Sequence, residues 1–328
     1  MRATISISVY ISQGRSNAGK GRLIGRSDIG QGWCVGCWKL LKEACPGGGG
    51  LLTGRRCGGA EDCRDDPDGG GHVRIAISVP GEISINDDAE LRLASAGKLL
   101  VLAGVARGLA AGTLAPDEVV EVRDADYVNG SGLLGVLSQR RWTITDLAVL
   151  VASVSDNTAT NSLLRHLGLD RVTDESARLG LIRTRVLDRV REPRLPSDPP
   201  HFAVGTAGEL ARFAALLDGQ EEWTRTMLGW MAHNTDRCLV PALVPHDPES
   251  RKIPDKTAPG TIWVANKTGI DEGVRTDVGV LVGVRRIGYA VLANGPTVGG
   301  DDHELVRRVR EAGVEIAALA GVPRPHVG

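Results

Sequence analysis

The sequence of 328 residues predicts an α+β fold, with one antiparallel sheet assembled from both ends of a domain and a helical region inserted between them. Three observations carry this. Two strand-like runs, VRIAISV (73–79) and EISIN (82–86), are joined by Pro80-Gly81 and read as a β-hairpin. Much later, TIWVANKTG (261–269), TDVGVLVGV (276–284) and IGYAVLANG (287–295) are three more β-rich runs joined by short turns. From Ser95 to about Met231 the intervening pattern is mostly helical.

In chain order, residues 1–71 come first. They are rich in Gly and Arg, with PGGGG (46–50) and PDGGG (67–71), and show little sustained periodicity, so a poorly ordered extension is predicted before a folded domain at 72–328. Five of the six cysteines (34, 37, 45, 57 and 63) fall in this stretch, and only Cys238 follows, so the later part has no internal disulfide. GRSNAGKG (14–21) has the spacing of a phosphate-cradling loop, but Gly21 stands where a metal-binding hydroxyl is required. CVGC (34–37) fits no paired zinc knuckle. Neither a phosphate site nor a zinc site is predicted.

After the hairpin, LRLASAGKLLVLAGVARGLAAG (91–112) is an almost wholly apolar helical run that carries Lys98 in its first turn, three residues after Ser95. Burying an ammonium costs several kcal/mol unless it is paired or deprotonated. Gly97, a weak helix former, adds mobility there. In VSDNTATNSLLRHLG (154–168), Ser155, Asp156 and Asn157 are poor interior helix residues that suit a cap. Thr206 to Glu209 reads as a capping box heading GELARFAALL. A final amphipathic helix spans about 302–320. No obvious helix precedes strand 73–79, where one would pack on the final helix, so either part of the extension supplies it or the apolar face of residues 302–320 is left partly bare.

Composition narrows the partners. A chain with 42% hydrophobic residues and net charge −1 reads as a soluble globular protein, with no polyanion or nucleic acid partner. The longest apolar runs fall far short of the roughly 20 residues a membrane helix needs. The amino terminus has no basic start with a long apolar core, which predicts a cytoplasmic protein without a membrane partner, or a secreted one if the start is misassigned. A monomer acting on a small molecule is expected.

Three short motifs point to chemistry. Helix positions three apart share a face, so Ser95 and Lys98 can meet near free N–H groups that stabilise developing negative charge. A desolvated lysine is a proper base for a serine. Taken alone, S-x-x-K is a weak signal and Lys98 is more often a surface lysine whose stem covers apolar area, and Ser155-Asp156-Asn157 only a cap. In NKTGIDEGVRTDVG (266–279), Lys267, Thr268 and Gly269 end a strand. A strand edge offers backbone groups to an extended substrate, Lys267 and Thr268 offer donors to a carboxylate, and Gly269 allows close approach.

In the order S-x-x-K, S-D-N and K-T-G, separated by 60 and 112 residues (95 to 155, 155 to 267), chance coincidence becomes small. Residues 73–320 resemble the serine β-lactamase and penicillin-binding DD-peptidase superfamily, and VSDNTATN with a downstream EP is most similar to class A. The resemblance implies a β-lactamase/transpeptidase-like fold and an acyl-enzyme on Ser95, with no metal and no organic cofactor. Lys98 would be its base or proton relay, and Ser155 would pass a proton to the leaving nitrogen. Asn157 would bind the substrate amide, and Lys267, Thr268 and Gly269 would hold the substrate, its carboxylate on the first two. The oxyanion would lie on the N–H groups of Ser95 and Ile270, and Arg275 matches an additional carboxylate-binding arginine. Glu192, in REPRLPSDPP (191–200), matches the acid that activates the hydrolytic water, 37 residues beyond Ser155. The loop's arginine-to-aspartate clamp is either Arg189 or Arg191 with Asp198. At Pro196 the family's pattern has a water-holding asparagine, and proline offers neither side-chain amide nor N–H. Deacylation by water is thereby put in question. The rival readings are an acyltransferase, esterase or DD-peptidase on the same fold, and a non-catalytic binding protein that keeps the cleft.

Overall fold

Alternation within the β-rich runs settles how the layers stack. The computed structural model describes residues 73–254, 257–297 and 300–324. The expectations placed on 1–71 (the poorly ordered extension, the phosphate-loop spacing and CVGC) lie outside the described residues. β1 (Arg74–Val79) and β2 (Ile83–Ile85) form the expected hairpin, with Ile77 opposite Ile85. The other strands are short β3 (Leu91–Arg92), β4 (Val119–Glu121), β5 (Arg141–Thr143), β6 (Arg185–Val186) and β7 (Ala203–Gly205), then long β8 (Trp263–Asp271), β9 (Val274–Val282) and β10 (Arg286–Asn294). The five-stranded sheet is antiparallel throughout in the order β2-β1-β10-β9-β8, so strands from both ends of the domain meet where β1 pairs with β10.

Among the described residues seven α-helices complete the fold: α1 (Lys98–Ala110), α2 (Ile144–Val154), α3 (Asn157–Leu167), α4 (Leu169–Arg178), α5 (Ala207–Leu216), α6 (Glu222–Ala232) and α7 (Asp302–Leu319). On β10, Ala290 and Leu292 join a core with α1, α2, α5 and α6, while Tyr289, Val291 and Ala293 join a second core with α7. Both faces of the sheet are therefore covered, which is why its strands read as nearly unbroken apolar runs. α1 lies inside the larger core, with Leu99, Leu100, Val101 and Leu102 all buried. A helix apolar all round is a buried helix, so whatever stands at its head is buried with it.

Three expectations change. The apolar stripe of α7 (Leu305, Val309, Ile316, Ala317) is covered by the sheet and by a 3-10 turn, Val240–Leu243, with Gly313 set against the Val240 carbonyl. The Thr206 cap forms, its Oγ1 accepting from Glu209 N at 3.3 Å, but the Glu209 carboxylate turns to the N–H groups of Ile182, Arg183 and Thr184 instead of completing the box. Gly97 is a packing requirement, because a Cβ there would lie 2.3 Å from Ala203 Cβ. The short strand pairs β4-β5 and β3-β7-β6 inside the helical region were not foreseen, since two or three residues are too few to show a period.

Candidate active site

Ser95 sits half-buried in a 3-10 turn, Ala94–Gly97, that runs straight into α1. The sheet holds this turn. Thr276 Oγ1 donates to the Leu93 carbonyl at 2.9 Å, and Leu93 N donates to Ala203 O at 3.1 Å. Gly269 of β8 presses against the turn so closely that a Cβ would lie 2.1 Å from Leu93 O and 2.7 Å from Ala96 N. Absence of a side chain at Gly269 is what lets K-T-G reach Ser95.

Lys98 is 1% exposed. Its Nζ donates to Ser155 O at 2.6 Å, Ser155 Oγ at 3.1 Å and Asn157 Oδ1 at 2.6 Å. Among the described residues no hydrogen bond joins it to Ser95; an ammonium would serve all three acceptors, whereas a neutral amine serves two and keeps a lone pair for a proton. Burial pushes its pKa well below the usual lysine value, the nearby Lys267 charge adds to this, and Asp156 opposes it.

The S-D-N segment is a hinge between two helices. Ser155 ends α2 in the left-handed region (φ 56°, ψ 38°), and Asp156 caps α3 by accepting from Ala159 N at 2.8 Å. Its second carboxylate oxygen accepts from the backbone N–H groups of Leu133 (2.6 Å) and Leu134 (2.9 Å). Asn157 Nδ2 donates to Asn129 O at 2.9 Å. Ser155 Oγ accepts from Lys98 and also from Lys267, each at 3.1 Å. With both lone pairs taken by lysine Nζ donors, the hydroxyl hydrogen of Ser155 remains free to donate.

Lys267 is fully buried, donates also to Thr268 O at 2.8 Å, and has its pKa pushed down to about 8 by burial against the opposing pull of Asp236 and Asp277. Thr268 donates its hydroxyl to Asp236 Oδ2 at 2.8 Å. β8 is the edge of the sheet, so alternate backbone groups face away from β9, and Ile270 is 44% exposed there. Arg275 stands opposite Ile270 in the β8-β9 register, but its guanidinium is paired with Asp302 at 2.7 Å and donates to the carbonyls of Asp271 and Val274. Glu192 is exposed, with no hydrogen bond or ion pair among the described residues, and Pro196 is exposed in the same loop. The loop is clamped by Arg191, which lies 2.5 Å from Asp188 and 3.4 Å from Asp198, whereas Arg189 donates to Ala125 O. Asn161 ties the loop to α3 through both the N–H and the carbonyl of Val190.

The structure thus joins Lys98, Ser155, Asn157, Lys267 and Thr268 in one hydrogen-bonded cluster beside the Ser95 turn, and leaves Glu192 and Arg275 outside that network. Among the described residues no group of three or more His, Cys, Asp or Glu is arranged to hold a metal, and no helix is long and apolar enough to cross a membrane. A model of the beta-lactamase enzyme family matches residues 69–318. The chain belongs to that family. It is similar to the β-lactamase CARB-4 of Pseudomonas aeruginosa, 28% identical over an alignment of 215 residues, with 61% of this chain and 71% of that one covered. Toho-1 of Escherichia coli is 27% identical over an alignment of 214 residues, again with 61% and 71% of the two chains covered. A β-lactamase structure from Sphaerobacter thermophilus superposes with a TM-score of 0.64 at 28% identity, covering 77% of this chain and 94% of that one. A point mutant of PBP-A in its acyl-enzyme complex with penicillin G has a TM-score of 0.61 at 18% identity, covering 77% and 92%, and shares the fold. This β-lactamase-family chain is a β-lactamase-like hydrolase of the serine β-lactamase and penicillin-binding superfamily.

Two features of the site escaped sequence reasoning. Asp236, in the loop after α6, carries no motif that marks it. The YVNGSGLL loop (127–134) carried a turn signal in its Asn-Gly and Ser-Gly pairs. Its Gly132 has φ +124° and lies against Asp156, where a Cβ would stand 2.4 Å from the carboxylate carbon.

Proposed function

We propose that the chain cleaves the amide of a β-lactam, or a related amide or ester, through an acyl-enzyme on Ser95. The observation that carries this reading is Ser155 Oγ shared at 3.1 Å between two buried lysines beside the Ser95 turn. Ser95 Oγ attacks the carbonyl carbon, and its proton passes to Lys98, which its burial favours as a neutral amine. The developing oxyanion rests on the N–H groups of Ser95 and Ile270. As the C–N bond breaks, Ser155 gives its free hydrogen to the leaving nitrogen and is reprotonated from Lys98, while Lys267 favours the transient negative charge on Ser155. Asn157 fixes Lys98 through Oδ1 and keeps one N–H and one lone pair for the substrate amide.

Deacylation follows from the loop. Glu192 is the base for the attacking water, but Pro196 supplies no amide to hold that water, and a misplacement of about 1 Å costs on the order of 100-fold in rate. The adduct with benzylpenicillin is therefore expected to accumulate in an intact mass spectrum, and Pro196→Asn to speed its release. Rapid wild-type turnover without an adduct would overturn this account of the loop. The same two observations, exposed Glu192 and Pro196, favour acyl transfer as the second reading. It is supported if an added amine or alcohol releases the adduct much faster than water does.

A further inference from the structure

The carboxylate of Asp236 lies at the end of the cleft where the superfamily resemblance puts a substrate carboxylate. Its Oδ2 accepts the Thr268 hydroxyl at 2.8 Å and its Oδ1 accepts Cys238 N at 3.0 Å. The loop that carries it is pinned on both sides. Thr235 N and Oγ1 both donate to Ser153 O at 2.9 Å, beside the S-D-N hinge, and Asn234 Nδ2 donates to Asp236 O at 2.9 Å. Asp236 is half-buried, and the hydrogen bonds from Cys238 and Thr268 together with the Lys267 charge hold its carboxyl below the usual range against the effect of burial. It is an anion at neutral pH.

The consequences for a ligand are those of hydrogen-bond arithmetic. A threonine hydroxyl has one hydrogen, and Thr268 has given it to Asp236, so toward a substrate Thr268 presents lone pairs only. Lys267, with Nζ donating to Ser155 Oγ and Thr268 O, has its charge opposed by Asp236. Arg275 has its charge opposed by Asp302 at 2.7 Å. Arg237, next to Asp236, turns inward and donates to Asn266 Oδ1 and to Ala232 O. Among the described residues Lys267 and Arg275 are thus opposed by carboxylates and Arg237 is turned away, and an incoming carboxylate would meet an acceptor oxygen and a like charge. Repulsion of that kind is a device of specificity in itself.

We infer that Asp236 is a specificity-determining residue, which makes this end of the cleft select acyl donors bearing a non-anionic hydrogen-bond donor, such as a primary amide or an ammonium group, in place of a carboxylate. The inference rests on the acyl-enzyme reading above. A donor N–H at that position bonds both Thr268 Oγ and the Asp236 carboxylate without displacing the bond between them.

The test compares benzylpenicillin with its carboxamide, in which only the carboxylate is changed. Acylation rates are read by intact mass on the full chain, and each is divided by that probe's own rate of alkaline hydrolysis to remove intrinsic reactivity. The wild-type protein is expected to favour the carboxamide, and Asp236→Asn to shift the ratio toward the carboxylate probe by tenfold or more. A wild-type protein that favours the carboxylate probe by tenfold overturns the inference without recourse to any variant. So does a ratio that Asp236→Asn and Asp236→Thr both leave unchanged while adducts still form. If no adduct forms with either probe and neither probe is turned over by any of these proteins, the acyl-enzyme reading itself fails, and the inference falls with it.

Discussion

At the head of α1 the Lys98 ammonium has lost its water and recovers three acceptors, two of them on Ser155. Its partner across that hydroxyl, Lys267, is just as deeply buried. Two like charges sharing one acceptor oppose each other's protonation, and burial adds to this. In the proposed mechanism Lys98 works as the neutral amine and Lys267 as the cation beside Ser155, so the two must titrate apart. Lys267, with its pKa pushed down to about 8, carries its charge below that pH and loses it above. The acylation rate is therefore expected to fall as pH rises through about 8. Lys267→Arg, which stays charged across this range, should remove that alkaline limb even if it lowers the rate overall. A wild-type pH-rate profile that stays level from neutrality through pH 10 would show that the Lys267 charge has no part in the acylation step.

The turn before α1 is built as tightly as the chemistry it carries. Gly97 has Ala203 of β7 against its open side, and Gly269 of β8 has the Leu93 carbonyl. Gly97→Ala puts a Cβ 2.3 Å from another Cβ, an overpacking that costs about 1–3 kcal/mol and displaces the Ser95 turn. A lowered thermal midpoint with slowed acylation is the expected outcome, and a variant that melts with the wild type would contradict the packing account. Elements of this kind divide by what a sequence can express. The long strands and α7 were legible because each buries enough residues to show its period or an unbroken apolar run. The three motifs were legible because S-x-x-K, S-D-N and K-T-G occur together in one order and spacing, each being weak alone. Partners chosen in three dimensions were not. The Glu209 carboxylate bonds the 182–184 backbone rather than its own helix start, and Arg275 spends its charge on Asp302. Asp236 meets Thr268 only because the loop after α6 is tied to Ser153 at the end of α2. Long-range pairings of this sort leave no local pattern.

For the molecule as a whole, closure of the sheet from both ends brings Ser95, Ser155 and Lys267 together across a long stretch of chain. β1 from the start of the domain pairs with β10 from near its end, and α7 seals the outer face. Every member of the site and all five strands lie between residues 74 and 294, and the family match begins at residue 69. Removing residues 1–68 is accordingly expected to leave acylation rate and thermal midpoint unchanged. A fall in either would show that the first residues contribute to this fold. The central claim, that Ser95 is acylated, is tested most directly by incubating the protein and its Ser95→Ala variant with benzylpenicillin and weighing each intact. The wild-type protein is expected to gain the mass of one penicillin, located by peptide mapping on Ser95, and the folded variant none. An adduct of equal extent in the variant, or an adduct mapped to another residue in the wild type, would contradict it.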